Sequence, residues 1–298
     1  MILIGENIHI ISKKVREALI NRDESFVTEL INTQSNMDYI DLNVGPAKGD
    51  LENILPWMSQ IIDRQSNAGI SFDTTNLTEM ENGLKSTSKP TFINSTSLNE
   101  IKLQKTTDLA LEYNSNLIAL TMDNGIPKTA DERVEIAFQI YEKATEKSLN
   151  PDKIFFDPLI LPVCIEQSQS LEALNTIRMI KESLDVKTIV GLSNISNGCP
   201  QRSLLNSVYA TLLYGAGLDA AIIDAKDTEL VRILNMLTNQ NPQSKIDKLL
   251  IDLSKTVENF GEIQDVNYDK NSIEQTQIIK AANILLNNEI YSHSFTQI

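Results

Sequence analysis

The chain has 298 residues, a length that fits two average domains or one α/β barrel of roughly 250 residues. Hydrophobic residues make up 41% of the sequence, which is enough material for a large core. The formal net charge of −14 argues against nucleic acid as a partner, because phosphate contacts need clustered Lys and Arg side chains.

Short apolar runs recur along the chain and predict about eight buried β-strands. The first run, at the N-terminus, lacks the basic region of a signal peptide, so we interpret it as a strand. No run approaches the roughly 18 apolar residues that a membrane span needs, so we expect no membrane partner. The runs centre near Leu3, Ile40, Phe72, Ile93, Ile118, Phe155, Val190 and Ile222.

Helical patterns lie between most of these runs. Residues 50–64, 131–147 and 171–184 carry apolar side chains at a period close to 3.6 residues. Alternating strands and helices predict βαβ units and a parallel sheet. Eight such units fit a (β/α)₈ TIM barrel, whereas fewer would fit a doubly wound sheet. We predict the barrel, as a single domain over residues 1–298, because the count reaches eight and almost every strand ends in a polar group.

The chain departs from this regular spacing after the last predicted strand. Residues 238–244 form a polar linker, and residues 261–272 are again polar and loop-like. Between them, an amphipathic helix is predicted with Ile246, Leu249, Leu250, Leu253, Val257 and Phe260 on one face. A last helix is predicted near 273–286. We expect the helix over 246–260 to pack on the outside of the barrel, with docking of a partner protein as the alternative.

The two cysteines of the chain, Cys164 and Cys199, are far apart in sequence. They form no Cys-x-x-Cys motif and no cluster with metal-ligand spacing. This usage predicts reduced thiols in a cytoplasmic protein.

Acidic and amide side chains follow the predicted strands. The carboxyl ends of parallel barrel strands meet at one mouth, where active sites lie. The set lacks His and Cys, and the chain has no His-Glu-x-x-His motif, nucleophile elbow, dinucleotide-binding glycine motif or P-loop. The candidates in chain order are Glu6, Asn7, Asp41, Asn43, Asp73, Asn94, Asp157, Asn194, Asp219 and Asp224.

Asp alternating with Asn suits a neutral heterocycle, although Asp residues that hold magnesium remain an alternative. A pterin ring presents a 2-amino group beside a ring N–H, and one carboxylate can accept from both. Its carbonyl and remaining ring nitrogens need amide partners, and Asn offers both a donor and an acceptor.

Each candidate also has a structural alternative. Asp73 and Asn94 could cap the helices that follow them, and Asp157 and Asn194 could be turn residues. Asp41 could be a structural carboxylate in the barrel interior. Caps and turns do not explain why such residues recur at strand end after strand end, so we favour a shared site.

Several motifs, in this order, resemble those of the pterin-binding methyltransferases. They include Asp-Leu-Asn-Val-Gly-Pro at 41–46, Asp-Thr-Thr-Asn at 73–76, Asn-Ser-Thr at 94–96, Asp-Pro-Leu-Ile-Leu-Pro at 157–162 and Gly-Leu-Ser-Asn at 191–194. The sequence is most similar to the methyltetrahydrofolate:corrinoid/iron–sulfur protein methyltransferases of the reductive acetyl-CoA pathway. The resemblance runs from Leu3 to about Leu234 and resumes over 284–295. Residues 239–272 are predicted to be an insertion relative to the family.

The resemblance implies a homodimeric TIM barrel that binds 5-methyltetrahydrofolate in its mouth and has no metal of its own. Asp73, Asn94 and Asp157 match the residues that hold the pterin ring. Asn194 matches a mobile amide that reaches N5 of the pterin, and it is our catalytic candidate. Further substrate-binding candidates are Arg202, Glu6, Asp41 and Asn43.

The methyl group of 5-methyltetrahydrofolate would pass to cobalt(I) of a cobalamin. The chain has no Asp-x-His-x-x-Gly corrinoid signature and no iron–sulfur cysteines, so the corrinoid is expected on a separate, possibly iron–sulfur, partner protein. Three alternatives stay open: transfer in the reverse direction, a dihydropteroate synthase-like reaction and non-catalytic folate binding. The synthase would need basic loop residues for a pyrophosphate leaving group, and its Lys and Arg signature is not evident here.

Overall fold

The computed structural model of the protein describes residues 1–184 and 186–296. Within these residues, eight parallel strands pair in sequence order, and the last pairs with the first to close a barrel. The predicted TIM barrel is therefore confirmed. The strands are β1 (Ile2–His9), β2 (Tyr39–Gly45), β3 (Gly69–Thr74), β4 (Thr91–Thr96), β5 (Asn116–Leu120), β6 (Ile154–Asp157), β7 (Lys187–Gly191) and β8 (Ala220–Ile223).

Helices follow each strand and form the outer layer of the barrel. Two of them follow β1, and two more follow the helix after β8. They are α1 (Lys13–Ile20), α2 (Glu24–Asn32), α3 (Ile54–Gln65), α4 (Leu77–Lys85), α5 (Glu100–Glu112), α6 (Ala130–Glu146), α7 (Ser168–Ser183), α8 (Arg202–Gly215), α9 (Thr228–Asn239), α10 (Lys245–Glu258) and α11 (Ile273–Leu285). None of the helices in the described residues has the length and apolar character needed to cross a membrane.

The barrel interior is filled by aromatic and branched side chains. The ring of Phe92 lies edge-on to the rings of Tyr39 and Phe155, with centroids 4.8 Å apart in both pairs. Ile4 and Ile189 are fully buried beside them. Other strand residues pack outward against the helices, so most strand positions are buried on one face or the other. This explains why the strands are apolar runs rather than alternating sequences.

One predicted helix start is wrong. The pattern over 50–64 suggested a helix from residue 50, but α3 begins at Ile54. A short 3₁₀ helix occupies Gly49–Leu51, and Asn53 has a left-handed φ of 54° that separates the two. The backbone N–H of Asn53 donates to Glu79 Oε2 at 2.9 Å, which holds the chain in this turn. The start of α3 is therefore set by a hydrogen bond to Glu79 on α4 and not by the apolar period of its own sequence.

The predicted packing of the helix after 245 on the barrel is confirmed. α10 and α11 both lie on α8, and residues 205–213 of α8 are buried on every side. A Cβ added at Gly215 would clash with the carbonyl of Ser254 and lie 3.0 Å from Val257 Cβ, so α8 and α10 are in close contact. Phe260 was expected on the same buried face, but it lies beyond the helix end, is 67% exposed, and stacks under Arg178.

Candidate active site

The predicted polar residues lie at the carboxyl-terminal mouth of the barrel, with one exception. Glu6 and Asn7 lie in the second half of β1, and Asp224 directly follows β8. Asp219 precedes β8 and therefore lies at the opposite, amino-terminal end. There its carboxylate pairs with Lys181 at 3.0 Å. Including Asp219 among the mouth residues was wrong, because a short strand separates it from Asp224.

Three of the predicted residues lie level on neighbouring strands. Asn43 on β2 pairs with Asp73 on β3, which in turn pairs with Asn94 on β4. Asn43 Nδ2 donates to Asp73 Oδ2 at 2.5 Å. Asp41 lies one layer deeper, where its Oδ1 accepts from Ser71 Oγ at 2.5 Å and from Asn94 Nδ2 at 3.2 Å. We call Asp41, Asn43, Asp73 and Asn94 the carboxylate–amide cluster.

Burial raises the pKa of both carboxyl groups in the carboxylate–amide cluster. Asp41 is 4% exposed, and burial followed by the charge of Asp73 raises its pKa well above the usual value. Burial raises the pKa of Asp73 to about 6, although the hydrogen bond from Asn43 and the charge of Lys102 oppose this. Neither carboxylate forms an ion pair with a described residue. A ligand that brings N–H donors would stabilise both ionised forms.

Asp157 is the last residue of β6, three strands further round the mouth from Asp73. Its Oδ1 accepts from the backbone N–H of Leu159 at 2.7 Å, so it also shapes the turn that follows. Burial raises its pKa to about 6, while this hydrogen bond and the charge of Arg133 oppose the increase. Asp157 therefore has both the predicted turn role and the predicted place in the mouth.

Arg133 on α6 is a residue that the sequence motifs did not indicate. It is 0% exposed and forms no ion pair with any described residue. Its Nε donates to the carbonyl of Pro127 at 3.1 Å, and its Nη2 donates to Gln169. Its Nη1 is buried without a partner in the described residues. An Arg on an amphipathic helix normally indicates an exposed position, so no sequence signal could have identified it.

A second group of polar contacts joins β1 to the ends of β7 and β8. Ser193 Oγ donates to Glu6 Oε1 at 2.5 Å. Asn7 Nδ2 donates to Asp224 Oδ1 at 2.5 Å. Burial raises the pKa of Glu6, and the charge of Asp224 raises it further, while the hydrogen bond from Ser193 opposes the shift. Glu6 is thus an acid that keeps its proton to higher pH than an exposed Glu.

Asn194 lies on the 3₁₀ helix Leu192–Ser196 that directly follows β7. It is exposed, and its Oδ1 accepts from Asn197 Nδ2 at 3.3 Å. Arg202, the first residue of α8, donates to Asn197 Oδ1 at 3.0 Å and to Ser196 Oγ at 3.1 Å. Across the described ranges, no hydrogen bond joins Asn194 to the carboxylate–amide cluster or to Asp157. Asn194 and Arg202 therefore form a separate group at the rim.

The helix caps exclude two of the structural alternatives. The cap of α4 is Asn76, whose side chain accepts from the N–H groups of Thr78 and Glu79, so Asp73 is not the cap. The cap of α5 is Asn99, so Asn94 is not a cap either. Within residues 1–184 and 186–296, no three His, Cys, Asp or Glu residues are arranged to hold a metal ion.

A model of the pterin binding enzyme family matches residues 34–224. This range is more than half of the chain and contains the carboxylate–amide cluster, Asp157, Asn194 and Arg202. The chain belongs to the pterin-binding enzyme family. The resemblance drawn from the sequence motifs is therefore confirmed. Of the predicted mouth residues, Glu6 and Asn7 lie outside the matched range.

Two curated proteins illustrate the likeness to members of this family. Over 237 residues the chain is 29% identical to the methylcorrinoid:tetrahydrofolate methyltransferase of Eubacterium limosum, a match that covers 78% of this chain and 88% of that protein. Over 230 residues it is 30% identical to the methionine synthase of Mycobacterium tuberculosis. The second match covers 72% of this chain but only 19% of the longer protein.

Solved structures of dihydropteroate synthases share the fold. The enzyme of Xanthomonas albilineans matches with a TM-score of 0.60 at 13% identity, covering 81% of this chain and 93% of that chain. The enzyme of Yersinia pestis matches with a TM-score of 0.58 at 14% identity, covering 80% and 93%. At this level of identity the likeness shows the barrel fold alone.

Proposed function

We propose that this protein moves the N5 methyl group of 5-methyltetrahydrofolate to the cobalt(I) of a cobalamin carried by a separate corrinoid protein. The observation that carries the proposal is the carboxylate–amide cluster, whose buried Asp41 and half-buried Asn43, Asp73 and Asn94 suit a pterin ring. The relative from Eubacterium limosum, whose name joins a methylcorrinoid to tetrahydrofolate, supports the same chemistry.

The pterin ring would be held by hydrogen bonds that complement its edge. The carboxylate of Asp73 or Asp157 can accept from the 2-amino group and the neighbouring ring N–H together. Asn94 offers an amide to the ring carbonyl or a ring nitrogen, and Asp41 fixes the orientation of that amide from below. The raised pKa values of Asp73 and Asp157 favour this arrangement, because two N–H donors would stabilise each carboxylate.

The methyl group on a tertiary amine is a poor electrophile until its nitrogen gains positive charge. Asn194 has no proton to give near neutral pH, but its Oδ1 can accept from a protonated N5 and so stabilise that form. Glu6 is linked to this region, because its Oε1 accepts a hydrogen bond from Ser193, the residue directly before Asn194. We propose that Glu6 keeps the proton available and that Asn194 holds it at N5.

The barrel itself would contribute position and charge rather than a nucleophile. Holding the methyl group in line with an incoming cobalt(I) converts a bimolecular encounter into an oriented one. The corrinoid, and any iron–sulfur cluster, would belong to the partner protein. We further propose that the protein works as a homodimer in the cytoplasm, in one-carbon metabolism such as the reductive acetyl-CoA pathway.

The direct test is to incubate the protein with 5-methyltetrahydrofolate and reduced cob(I)alamin and follow the loss of cobalt(I) absorbance. We expect transfer by the wild type and slower single-turnover transfer by Asn194→Ala at saturating substrate, by roughly 10- to 100-fold, which is the loss of one hydrogen bond to a charged group. Asn271→Ala, an exposed Asn in the loop before α11, is the matched control and should transfer at the wild-type rate. An unchanged rate for Asn194→Ala would refute its role.

The affinity for 5-methyltetrahydrofolate tests the pterin assignment separately. Asp157→Ala should weaken binding, whereas Asn194→Ala should leave the ring contacts intact. Pterin binding without turnover across several corrinoid donors would instead favour a non-catalytic folate-binding protein.

The reverse reaction is the second candidate, because the name of the relative from Eubacterium limosum places the methyl group on the corrinoid at the start. Methylcob(III)alamin and tetrahydrofolate, supplied in place of the forward substrates, test it. The turnover numbers (kcat) in the two directions are compared at saturating substrates. A larger forward kcat supports the proposed direction, and a larger reverse kcat supports the alternative.

A further inference from the structure

Two thiols that are distant in sequence meet at the rim of the barrel. Cys164 Sγ donates to the carbonyl of Asn197 at 3.2 Å. Cys199 Sγ lies 3.8 Å from the same carbonyl oxygen. A Cβ placed on Gly198 would be 3.4 Å from Cys164 Sγ, so this sulfur packs against the residue directly before Cys199. The two thiols are therefore neighbours that share one acceptor.

The backbone already holds the two loops together at this point. The N–H of Val163 donates to the carbonyl of Ile195 at 2.9 Å, which joins the β6–α7 loop to the loop after β7. The N–H of Cys199 donates to the carbonyl of Ser196 at 3.0 Å, so Cys199 lies on a tight turn of the second loop. A disulfide needs Cα atoms roughly 4.4–6.8 Å apart, so it requires two loops that are held together as these are.

Both thiols are available for chemistry that methyl transfer does not use. Cys164 is partly exposed, and Cys199 is 8% exposed. Burial and the neighbouring Cys199 raise the pKa of the Cys164 thiol, and the third titratable group facing the pair is the phenol of Tyr291. The Cys164 thiol thus keeps its proton to higher pH than a free thiol, and it reacts faster in alkaline buffer because the thiolate is the nucleophile.

We propose that Cys164 and Cys199 form a modification site in which oxidation joins their sulfurs in a reversible disulfide. The oxidant is a small disulfide such as oxidised glutathione. One thiolate attacks it and releases one glutathione thiol, and the second thiolate then displaces the other glutathione from the mixed disulfide. The protein loses two protons and two electrons, and the glutathione disulfide is reduced to two thiols.

The disulfide would act on the loop that carries Asn194. The carbonyl of Asn197 loses the thiol contacts that now surround it. The side chain of Asn197 bonds both Asn194 Oδ1 and Arg202, so a shift of this residue moves Asn194. The loss of activity expected from this shift rests on the proposed methyl transfer, whereas formation of the disulfide does not.

The chemical test uses the full-length protein, fully reduced and then exposed to oxidised glutathione. We expect both thiols to disappear together, the intact mass to fall by two hydrogen atoms, and one peptide pair to contain Cys164 linked to Cys199. Cys164→Ser and Cys199→Ser should each instead acquire a single glutathione. A wild-type protein that carries glutathione adducts, forms chains linked between molecules or keeps both thiols would overturn the proposal.

The functional test compares oxidised wild type with reduced wild type and with the double variant Cys164→Ser/Cys199→Ser after the same treatment, because the double variant can take up no glutathione and should keep its rate. Methyl transfer by the wild type should fall at least about tenfold and return with dithiothreitol, because misplacing a positioning group by about 1 Å can cost ~100-fold. Pterin affinity should change by less than about twofold, since the carboxylate–amide cluster is untouched. Equal rates for the oxidised and reduced wild type would overturn the coupling to Asn194. A reduced protein with no transfer at all would count against the proposed function and leave the thiol result standing.

Discussion

Replacing Asp157 with Asn is expected to stabilise the fold while it weakens pterin binding. Burial raises the pKa of this carboxyl from its usual 3.8 to about 6. Once the pH exceeds both pKa values, that shift makes the folded protein with an ionised Asp157 about 3 kcal/mol less stable than it would be with an unshifted carboxyl group. Asn has the same shape, and its Oδ1 can still accept from the N–H of Leu159, which lies 2.7 Å from the Asp157 oxygen.

The sign of the effect follows from the raised pKa. The stability linked to Asp157 is fully present below the unfolded pKa near 3.8 and is lost as the pH rises through 6. The Asn variant does not suffer that loss. We expect it to gain about 1–3 kcal/mol of unfolding free energy at about pH 7.5, allowing for solvent at the mouth. The gain should fall to roughly half at about pH 5.

Urea denaturation at the two pH values measures the stability, and calorimetric titration with 5-methyltetrahydrofolate measures the affinity. Losing two hydrogen bonds to a charged acceptor, at about 1.5–3 kcal/mol each, should weaken binding by at least ~100-fold. Asp252→Asn, on the exposed face of α10, is the matched control and should shift stability by less than about 0.5 kcal/mol. A variant less stable than the wild type at about pH 7.5, or one with unchanged affinity, would refute the reasoning.

Three further changes test other parts of the molecule. Glu6→Gln should keep the pterin affinity but slow methyl transfer. The rate of transfer should also fall less steeply with rising pH, because the variant lacks the acid whose pKa burial raises. An unchanged pH profile of the rate would contradict this. Arg133→Gln should move the pH midpoint of pterin binding upward by up to about one unit, because its charge no longer lowers the pKa of Asp157. Arg133→Lys should restore the midpoint, and equal midpoints in all three proteins would exclude the electrostatic role. Gly215→Ala should lower the unfolding free energy measured in urea by about 1–3 kcal/mol, because its Cβ would clash with a carbonyl of α10. Gly125→Ala is the control, because a Cβ there meets nothing within 4 Å, and its unfolding free energy should be almost unchanged. Equal stabilities of the two variants would show that α10 moves to make room for the added Cβ.

The barrel could be predicted from sequence because each strand is a short run buried on both faces, and periodicity distinguishes such runs from the helices between them. The start of α3 could not be predicted, because the left-handed turn at Asn53 depends on a hydrogen bond to Glu79, which lies on a different helix. Phe260 fitted the apolar period of α10, but the helix ends before it.

The mouth residues were predictable only as a set. Asn43, Asp73 and Asn94 are level because parallel strands in register place their ends together. Sequence could not show that Asp41 lies beneath them and orients Asn94, since that depends on layers of the closed barrel. The buried Arg133 and the meeting of the two cysteines were likewise hidden, because loops and helices bring them into place.

The close packing of α10 and α11 on α8 has a consequence for dividing the chain. The family match ends at residue 224, and a fragment cut near there, or just after α9, would retain all eight strands. It would nevertheless uncover the outer surface of residues 205–213, which are buried from every direction in the intact protein. That newly exposed apolar surface would favour aggregation. We therefore expect that a fragment must keep the C-terminal helices to stay free of aggregation, even though the mouth residues lie elsewhere.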